Sequence, residues 1–462
     1  MLLPLAALAM MPTDTPPAPI GALPSPRQLA WHKKGYYAFV HFGPNTFTGQ
    51  EWGSGKEKTE VFDPKNLDCR QWCKVFKDAG MTGVIITAKH HDGFCLWPSK
   101  YSTHTVRESK WKGGKGDVLK ELSAACREFG LGFGVYLSPW DRNHPSYGTD
   151  AYNETFKNML GEVLGKYGKT FEVWFDGANG EGPNGKKQVY DWPGFIGVVR
   201  KLQPGAVIFS DAGPDIRWVG NEAGHSDPTC WATLDRDKFV PGDPKWQQLT
   251  QGHENGTHWV PAECDVSIRR GWFWRSSEDN TVKSPEALMD LYMRSSGQNG
   301  SFLLNVPANT DGLISAVDQK ALLGFKTLRD KAFAQPLAKT ARVVASSVRG
   351  TNFAAKNATS KTGKYWVSAD KDTKPTVTLT WPKAHKIGVV ELAEHIALGQ
   401  RVQQFMVEVR SKDEWKAVEM QTTIGNRRLL DLKSVQADGL RVTFNQAKGP
   451  VCLAKIEAYE AH

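Results

Sequence analysis

The stretch 83-GVIITAKHHDGF-94, followed by 117-DVLKELSAACREF-129 and 132-GFGVYL-137, decides the fold. The apolar run that starts at Gly83 is continuous rather than alternating, which is typical of a strand covered on both faces of a parallel sheet. Residues 117–129 carry an apolar stripe at helical spacing and predict an amphipathic helix. Strand, helix and strand in this order indicate a βαβ unit.

The same alternation continues on both sides of this unit. Strands are expected over 37–42, 171–175, 206–210 and 301–306, and helices over 68–78, 153–167, 192–201, 285–296 and 316–332. Residues 212–280 are interpreted as long, Trp-rich loops. About eight strand–helix units over roughly 300 residues favour a (β/α)8-type barrel over a doubly wound sheet. We place this barrel at residues 28–336.

After Pro336 the pattern becomes that of an all-β domain. Short segments alternate apolar and polar residues, with turns between them and no clear helix, at 364–369, 376–381, 387–392, 403–409 and 439–444. This predicts a C-terminal antiparallel β-sandwich over residues 337–462. The sandwich could bind glycans or brace the barrel. The second is favoured because no cluster of Trp residues is evident in it.

Composition excludes several classes of protein. The chain has 462 residues, of which 40% are hydrophobic and 23% charged. These values exclude a wholly disordered, collagen-like or polytopic membrane protein. The net charge of +9 is spread along the chain, so no nucleic-acid partner is expected. The seven cysteines match no zinc or disulfide framework and are interpreted as buried thiols. The 17 Trp residues indicate either sugar-binding surfaces or a large core.

Residues 1–27 are interpreted as a signal-like or disordered N-terminal segment. The apolar run from Leu2 to Met11 is too short to span a bilayer. It resembles the hydrophobic part of a signal peptide, although no Lys or Arg precedes it. We therefore expect an exported protein. A disordered tail and a wrongly assigned start codon are the alternatives. No other apolar run is long enough for a membrane span.

Polar side chains follow the predicted strands at the point where each strand ends. His41, the pair His90 and His91, and Asp176 occupy such positions. Tyr136 lies near the end of its strand, and Glu222 lies in the loop after residue 211. In a (β/α)8 barrel the catalytic groups converge at the C-terminal ends of the strands. Two carboxylates surrounded by His, Trp and Tyr suit glycoside hydrolysis, which needs an acid and a nucleophile or base.

Two rival functions remain open at this point. His41, His90, His91 and Asp92 could bind a metal ion, but neighbouring histidines tend to point apart. The segment 253-HENGTH-258 has one residue too many for the metal-binding HExxH pattern. The second rival is a catalytically inactive sugar-binding protein, which would lack one of the two carboxylates. We expect no metal and no cofactor.

The motifs together resemble those of a known enzyme family. The strings are 41-HFG-43, 51-EW-52, 89-KHHDGF-94, 172-EVWFDG-177, 214-PDIRWVGNE-222 and 301-SFLLNVP-307. They are similar, in order, to family 29 of the glycoside hydrolases, the α-L-fucosidases, over roughly residues 28–335. The strings 214-PDIRWVGNE-222 and 261-PAECDVSIRRGWF-273 resemble the subfamily that prefers α-1,3- and α-1,4-linked fucose. The C-terminal sandwich also resembles the accessory domain of this family.

The resemblance implies a role for each matching residue. Asp176 would be the nucleophile and Glu222 the acid/base, with Glu263 as the second choice for the acid/base. The implied fucose-binding residues are His41, Glu51, Trp52, His90, His91 and Tyr136, together with Arg217 and Trp274 on weaker matches. The implied activity is that of a retaining, exo-acting α-L-fucosidase on α-1,3/1,4-fucosylated oligosaccharides or glycoprotein glycans. The alternative is a broad-specificity enzyme that acts on α-1,2-, α-1,6- or aryl fucosides.

Overall fold

The computed structural model describes residues 14–242 and 246–461 in two compact units. One unit runs from Pro24 to Lys331, and the other joins residues 14–23 to the chain from Ala332 onwards. The apolar run Leu2–Met11 lies outside the described residues.

The first unit is a closed barrel of eight parallel strands, which confirms the predicted barrel. In chain order the barrel strands are β1 (Tyr36–Val40), β2 (Gly83–Lys89), β3 (Gly132–Leu137), β4 (Thr170–Phe175), β5 (Val207–Ser210), β6 (Ile216–Trp218), β9 (Ala262–Ser267) and β10 (Ser301–Asn305). Between β6 and β9 the chain forms a separate two-stranded sheet, β7 (Thr233–Leu234) and β8 (His258–Trp259). The order around the barrel is β1-β10-β9-β6-β5-β4-β3-β2. Its interior is filled by large side chains from most strands, including Phe39, Ile85, Tyr136 and Trp174.

Helices surround only part of this barrel. They are α1 (Pro26–His32), α2 (Pro44–Thr48), α3 (Cys69–Asp78), α4 (Val118–Phe129), α5 (Asp150–Lys166), α6 (Trp192–Leu202), α7 (Pro285–Arg294) and α8 (Ala316–Ala332). Among the described residues no α-helix follows β5 or β6, so the expectation of a helix after nearly every strand is wrong there. The interpretation of 212–280 as loops alone is also wrong, because β6 and β9 lie within it.

The βαβ unit that decides the fold forms as its residues predict. All seven residues of β2 are buried. Helix α4 begins at the N-cap Asp117, whose carboxylate accepts the Lys120 backbone N–H at 3.0 Å. It ends at Gly130, where φ of +68° favours glycine. The apolar stripe of α4 is buried through Val118, Leu122 and Cys126.

The second unit is an antiparallel sheet of seven strands, which confirms the predicted C-terminal β-sandwich. Its strands are β11 (Arg342–Ala345), β12 (Trp366–Val367), β13 (Thr376–Glu394), β14 (Val402–Ser411), β15 (Glu414–Thr422), β16 (Arg428–Ala447) and β17 (Cys452–Glu460). The pairing register of β13 shifts after Thr380 and again after Ile387, and side chains from both of its halves enter one buried core.

Residues 14–23 also pack into this second unit. The carboxylate of Asp14 accepts hydrogen bonds from Thr351 Oγ1 at 3.0 Å and from the Asn352 backbone N–H at 3.1 Å. The guanidinium of Arg401 donates to the Ala18 carbonyl at 2.7 Å. This part of the N-terminal segment therefore has fixed partners.

Candidate active site

A cavity of about 140 Å³ opens at the C-terminal ends of the barrel strands. Eight of the ten side chains named as catalytic or binding residues from the sequence meet there. The lining residues are Phe39, His41, Glu51, Trp52, His90, His91, Tyr136, Trp174, Asp176, Ala178, Glu222, Asp265 and Trp272. Both carboxylates on which hydrolysis would depend, those of Asp176 and Glu222, therefore face one space.

Asp176 is held on both of its carboxylate oxygens. It directly follows β4, whose last four residues are buried. Its Oδ1 accepts the Ala178 backbone N–H at 2.8 Å, and its Oδ2 accepts the Tyr136 hydroxyl at 3.0 Å. His91 Nε2 lies 3.7 Å from the same Oδ2. These contacts fix the direction in which the carboxylate presents its oxygens to the cavity.

Three buried histidines form one wall of the cavity. His41 Nδ1 is hydrogen-bonded to Asn305 Oδ1 at 2.9 Å, and His91 Nδ1 is hydrogen-bonded to Ser138 Oγ at 2.7 Å. His90 stacks on Tyr136 with ring centroids 5.7 Å apart, and its Nδ1 has no hydrogen-bond partner among the described residues. Burial lowers the pKa of His41 to about 3 and that of His91 to about 4. Neutral rings of this kind can both donate to and accept from sugar hydroxyls.

Loops carry the opposite wall. The Trp272 indole N–H donates to Glu222 Oε2 at 3.3 Å. The Trp272 backbone N–H donates to Glu51 Oε1, while Arg275 pairs with Glu51 Oε2 at 2.6 Å. Trp52, which is 55% exposed, stands edge-on to His91 with ring centroids 6.1 Å apart. Glu51, Trp52, Glu222 and Trp272 thus all lie on the solvent side of the site.

The pKa of the Glu222 carboxyl is raised above its ordinary value. Desolvation is the largest cause, although solvent reaches the side chain from the cavity, and the charges of Asp176 and Glu51 act in the same direction. The Trp272 hydrogen bond opposes them. A carboxyl near a second carboxylate that keeps its proton at higher pH is suited to general-acid catalysis.

A second, larger cavity of about 510 Å³ adjoins the first. The two share Trp174, Asp176, Ala178, Glu222 and Asp265. Asp211, Trp218 and Gly242 line the second cavity only. Asp265 Oδ1 is buried without a hydrogen-bond partner among the described residues, and burial raises the pKa of this carboxyl well above its usual range. A ligand larger than one sugar ring therefore has room beside Glu222.

Comparisons with known proteins agree with this geometry. Residues 26–327 match the model of the alpha-L-fucosidase family. The chain belongs to the α-L-fucosidase family of glycoside hydrolases. It is 43% identical to alpha-L-fucosidase 1 of Arabidopsis thaliana over 96% of this chain and 88% of that protein. As an α-L-fucosidase it acts on fucosylated glycans.

Solved structures support the same assignment. A putative alpha-L-fucosidase from Bacteroides thetaiotaomicron superposes with a TM-score of 0.91 at 36% identity, covering 96% of this chain and 99% of that one. A family 29 fucosidase from Ruminococcus gnavus in complex with fucose superposes with a TM-score of 0.90 at 32% identity, covering 97% of each chain.

Two of the binding residues named from the sequence lie elsewhere in this α-L-fucosidase. Arg217 is fully buried, and its guanidinium donates to the carbonyls of Leu249, Trp231 and Val260, so it holds backbone segments together instead of reaching the cavity. Trp274 does not line the cavity, and the Arg269 guanidinium lies over its ring, 5.8 Å from the centroid. Trp272 takes the place assigned to Trp274.

Glu263, the second choice for the acid/base, also lies away from the cavity. It points into the barrel interior from β9, where it accepts the Trp174 indole N–H at 2.8 Å and the Tyr37 hydroxyl. A carboxyl that is enclosed in this way cannot protonate a leaving group. It contributes instead by holding Trp174, which lines the cavity.

Sequence reasoning missed Trp272, Trp174 and Asp265 as cavity residues. Asp265 and Trp272 lie within the string 261–273 and Trp174 lies within 172–177, but such a string does not say which of its side chains face the cavity. Among the described residues, no group of three or more His, Cys, Asp or Glu side chains could hold a metal ion. No helix of the described chain is long and apolar enough to cross a membrane.

Proposed function

We propose that this α-L-fucosidase is a retaining, exo-acting enzyme that releases terminal α-1,3- and α-1,4-linked L-fucose from branched oligosaccharides and glycoprotein glycans. Asp176 acts as the nucleophile, and Glu222 acts first as the acid and then as the base. One observation carries this proposal. The fixed carboxylate of Asp176 and the carboxyl of Glu222, whose pKa is raised, line the same small cavity.

The contacts of Asp176 support its role as nucleophile. Two hydrogen bonds, from the Ala178 N–H and the Tyr136 hydroxyl, hold the carboxylate in one orientation. An oriented nucleophile lowers the barrier because its rotational freedom is already lost before the reaction. Asp176 would attack the anomeric carbon and form a covalent fucosyl-enzyme.

The environment of Glu222 supports its role as acid and base. Burial and the nearby charge of Asp176 favour the protonated form that the first step needs. Once Asp176 is esterified, its charge disappears and the pKa of Glu222 falls, so Glu222 can then take a proton from the attacking water. Release of fucose with retained configuration follows, and this mechanism expects carboxyl groups about 5–5.5 Å apart.

The size of the first cavity supports exo action. A volume of about 140 Å³ suits one monosaccharide ring and leaves no room for a chain that continues past it. His41, His90 and His91 would bind the hydroxyls of that ring, and the unpartnered Nδ1 of His90 would gain a hydrogen bond. Trp174 and Phe39 offer apolar surface for the less polar face of a 6-deoxy sugar.

The second cavity supports a branched leaving group. Trp218 and Glu222, both from the string 214-PDIRWVGNE-222, line it together with Asp265. A sugar that carries fucose at position 3 or 4 usually has a second substituent close by, so its leaving group is wide. A cavity of about 510 Å³ beside the acid can take such a group, and the raised pKa of Asp265 makes it a hydrogen-bond donor to a sugar oxygen.

The test follows the anomeric protons of released fucose by NMR. A Lewis-type trisaccharide with α-1,3- or α-1,4-linked fucose is compared with an α-1,2-, an α-1,6- and an aryl fucoside. We expect α-fucose to appear before mutarotation, and kcat/KM to be highest for the Lewis-type substrate.

Each contrary outcome removes a different part of the proposal. Early β-fucose would mean inversion, and Asp176 would not be the nucleophile. Equal or faster release from the α-1,2-, α-1,6- or aryl fucosides would remove the linkage preference and favour a broad-specificity enzyme, while leaving the mechanism intact.

A further inference from the structure

A cavity of about 360 Å³ lies at the opposite end of the barrel from the carboxylates. Its lining includes Gly132 and Phe133 at the start of β3, Phe171 at the start of β4 and Ala30 on α1. In barrels of this type the catalytic groups lie at the C-terminal ends of the strands. This cavity lies at the other end, so it is separate from both of the cavities that Asp176 and Glu222 line. Its volume falls in the range of pockets that hold small organic ligands.

The floor of this cavity is flat and apolar. Trp31, which is 2% exposed, and Phe133, which is 4% exposed, form part of it together with Phe171 and Leu131. The indole N–H of Trp31 is already used, because it donates to Glu172 Oε2 at 3.0 Å in the barrel interior. Little of the Trp31 and Phe133 rings is accessible, so the apolar surface open to a ligand comes mainly from the half-buried Phe171 and the exposed Ala30.

The rim of the same cavity is positively charged. Arg27, Lys34, Arg127 and Lys169 line it, and none of its fourteen lining residues, all within the described part of the chain, is acidic. Arg27 is paired with Asp215 at 3.4 Å. The other three cations leave the cavity with a net positive charge, which attracts anions and disfavours cations.

The positive charge of Lys34 lies inside the cavity and is only partly exposed to solvent. The side chain is half-buried, and its Nζ lies 3.3 Å from the Thr82 carbonyl and 4.6 Å from the centroid of the Phe171 ring. Burial and the charge of Lys169 lower the pKa of this ammonium group, against the pull of Glu172. A bound anion would offset that cost, because an opposite charge nearby stabilises the charged form.

We propose that this cavity is a second ligand site, separate from fucoside hydrolysis, for a monoanion with a flat aromatic body, such as an aromatic carboxylate. The aromatic body lies against Ala30, Leu131 and the edge of Phe171, and the carboxylate faces Lys34 and Lys169. The proposal does not depend on the linkage or the mechanism assigned to the catalytic end.

The test is calorimetric titration of the full chain with 2-naphthoate and with its neutral counterpart 2-naphthamide. We expect saturable one-site binding of 2-naphthoate and at least tenfold weaker binding of the amide. Lys169→Glu reverses one exposed charge and should weaken 2-naphthoate about tenfold. Ala30→Phe fills the cavity without a charge change and should abolish binding.

Lys320→Glu is the matched control, because Lys320 is an exposed lysine on α8 that does not line the cavity. It should leave 2-naphthoate binding unchanged, and fucoside hydrolysis by all three variants reports on folding. Equal affinity for 2-naphthoate and 2-naphthamide would overturn the proposal. Equal effects of K169E and K320E would also overturn it, and so would displacement of 2-naphthoate by fucose, which would place the probe in the catalytic cavity.

Discussion

The two walls of the catalytic cavity are built in different ways. His41, His91 and Asp176 follow strands and are held by hydrogen bonds of 2.7 to 3.0 Å to fixed neighbours. Glu222 lies on a loop, and its Oε2 accepts the indole N–H of Trp272 at 3.3 Å. The strand-borne wall can orient a sugar and a nucleophile, whereas the loop-borne wall can adjust to a leaving group. This difference matches the division of labour between a nucleophile and an acid/base.

The largest expected loss of activity follows a substitution at Asp176, on the strand-borne wall. Asp176→Asn keeps the shape of the side chain but removes the proposed nucleophile, so kcat on a Lewis-type trisaccharide should fall by about 10⁴-fold or more. The measurement is initial-rate kinetics, with the melting temperature as a check on folding. A loss below about 100-fold would show that Asp176 does not form the covalent bond.

On the loop-borne wall, Glu222→Gln should lower kcat on the same trisaccharide about 10³-fold, because the leaving oxygen receives no proton. With 2,4-dinitrophenyl fucoside, whose leaving group needs no acid, a burst of phenol equal to the enzyme concentration should precede slow turnover. A burst with E222Q but none with D176N would distinguish the two walls by their chemistry.

The pH profile sharpens the same comparison. In the proposed mechanism the protonated form of Glu222 is the active form in the first step, so kcat/KM should fall as pH rises through its raised pKa. With the Lewis-type trisaccharide this alkaline limb should disappear from kcat/KM of E222Q, and with dinitrophenyl fucoside it should already be absent from the wild type, because that leaving group needs no acid. A limb that stays in the variant would assign it to another group, and the acid role of Glu222 would be wrong.

A smaller effect is expected at Trp272. Trp272→Phe keeps an aromatic ring but removes the indole N–H from Glu222, so kcat/KM should fall about threefold to tenfold. The alkaline limb should move to higher pH, because this hydrogen bond lowers the pKa of Glu222. Trp274→Phe is the matched control and should leave both quantities unchanged. Equal effects of the two substitutions would contradict the placement of Trp272 in the cavity.

The same contrast explains how far the sequence could predict this molecule. Strands such as β2 are mostly apolar, because both of their faces are buried, and the ends of β2 and β4 locate His90, His91 and Asp176. Strand β9 was missed because Glu263 and Asp265 interrupt its apolar pattern with carboxyls that the barrel encloses. Strand β6 has three residues, and its Arg217 is buried by backbone contacts that periodicity cannot reveal.

The loop residues could not be predicted from periodicity. Glu222 was singled out as a carboxylate in the loop after residue 211 and the pair Glu51–Trp52 from the resemblance, and all three line the cavity. Trp274 was named on a weak match and lies outside the cavity, whereas Trp272, whose backbone N–H donates to Glu51, lines it. That contact joins residues 221 positions apart, and no local pattern encodes it.

The smallest expected effect concerns Glu263, which lies in the barrel interior and holds Trp174 of the cavity wall. Burial raises the pKa of Glu263 to about 7, from an ordinary value of 4.5 that applies when the chain is unfolded. Between these values the unfolded chain releases a proton that the folded protein keeps, so this group costs stability as pH rises from 4.5 to 7. Glu263→Gln has no such proton, and its melting temperature relative to the wild type should rise by a few degrees over that window.

Calorimetric melting of both proteins from pH 4.5 to 8 measures this difference directly. The buried histidines, whose pKa values are lowered, act on stability in the opposite direction, but they are present in both proteins and cancel in the difference. The buried carboxyl of Glu172 does not cancel: Glu263 helps to raise its pKa, so E263Q removes part of that shift as well and changes stability in the same direction. Glu60→Gln, at an exposed position, controls for the loss of one carboxylate. A difference between E263Q and the wild type that is the same at every pH would mean that Glu263 is ionised in the folded protein. Trp174 would then be held in the cavity wall by a charged acceptor instead of a neutral one.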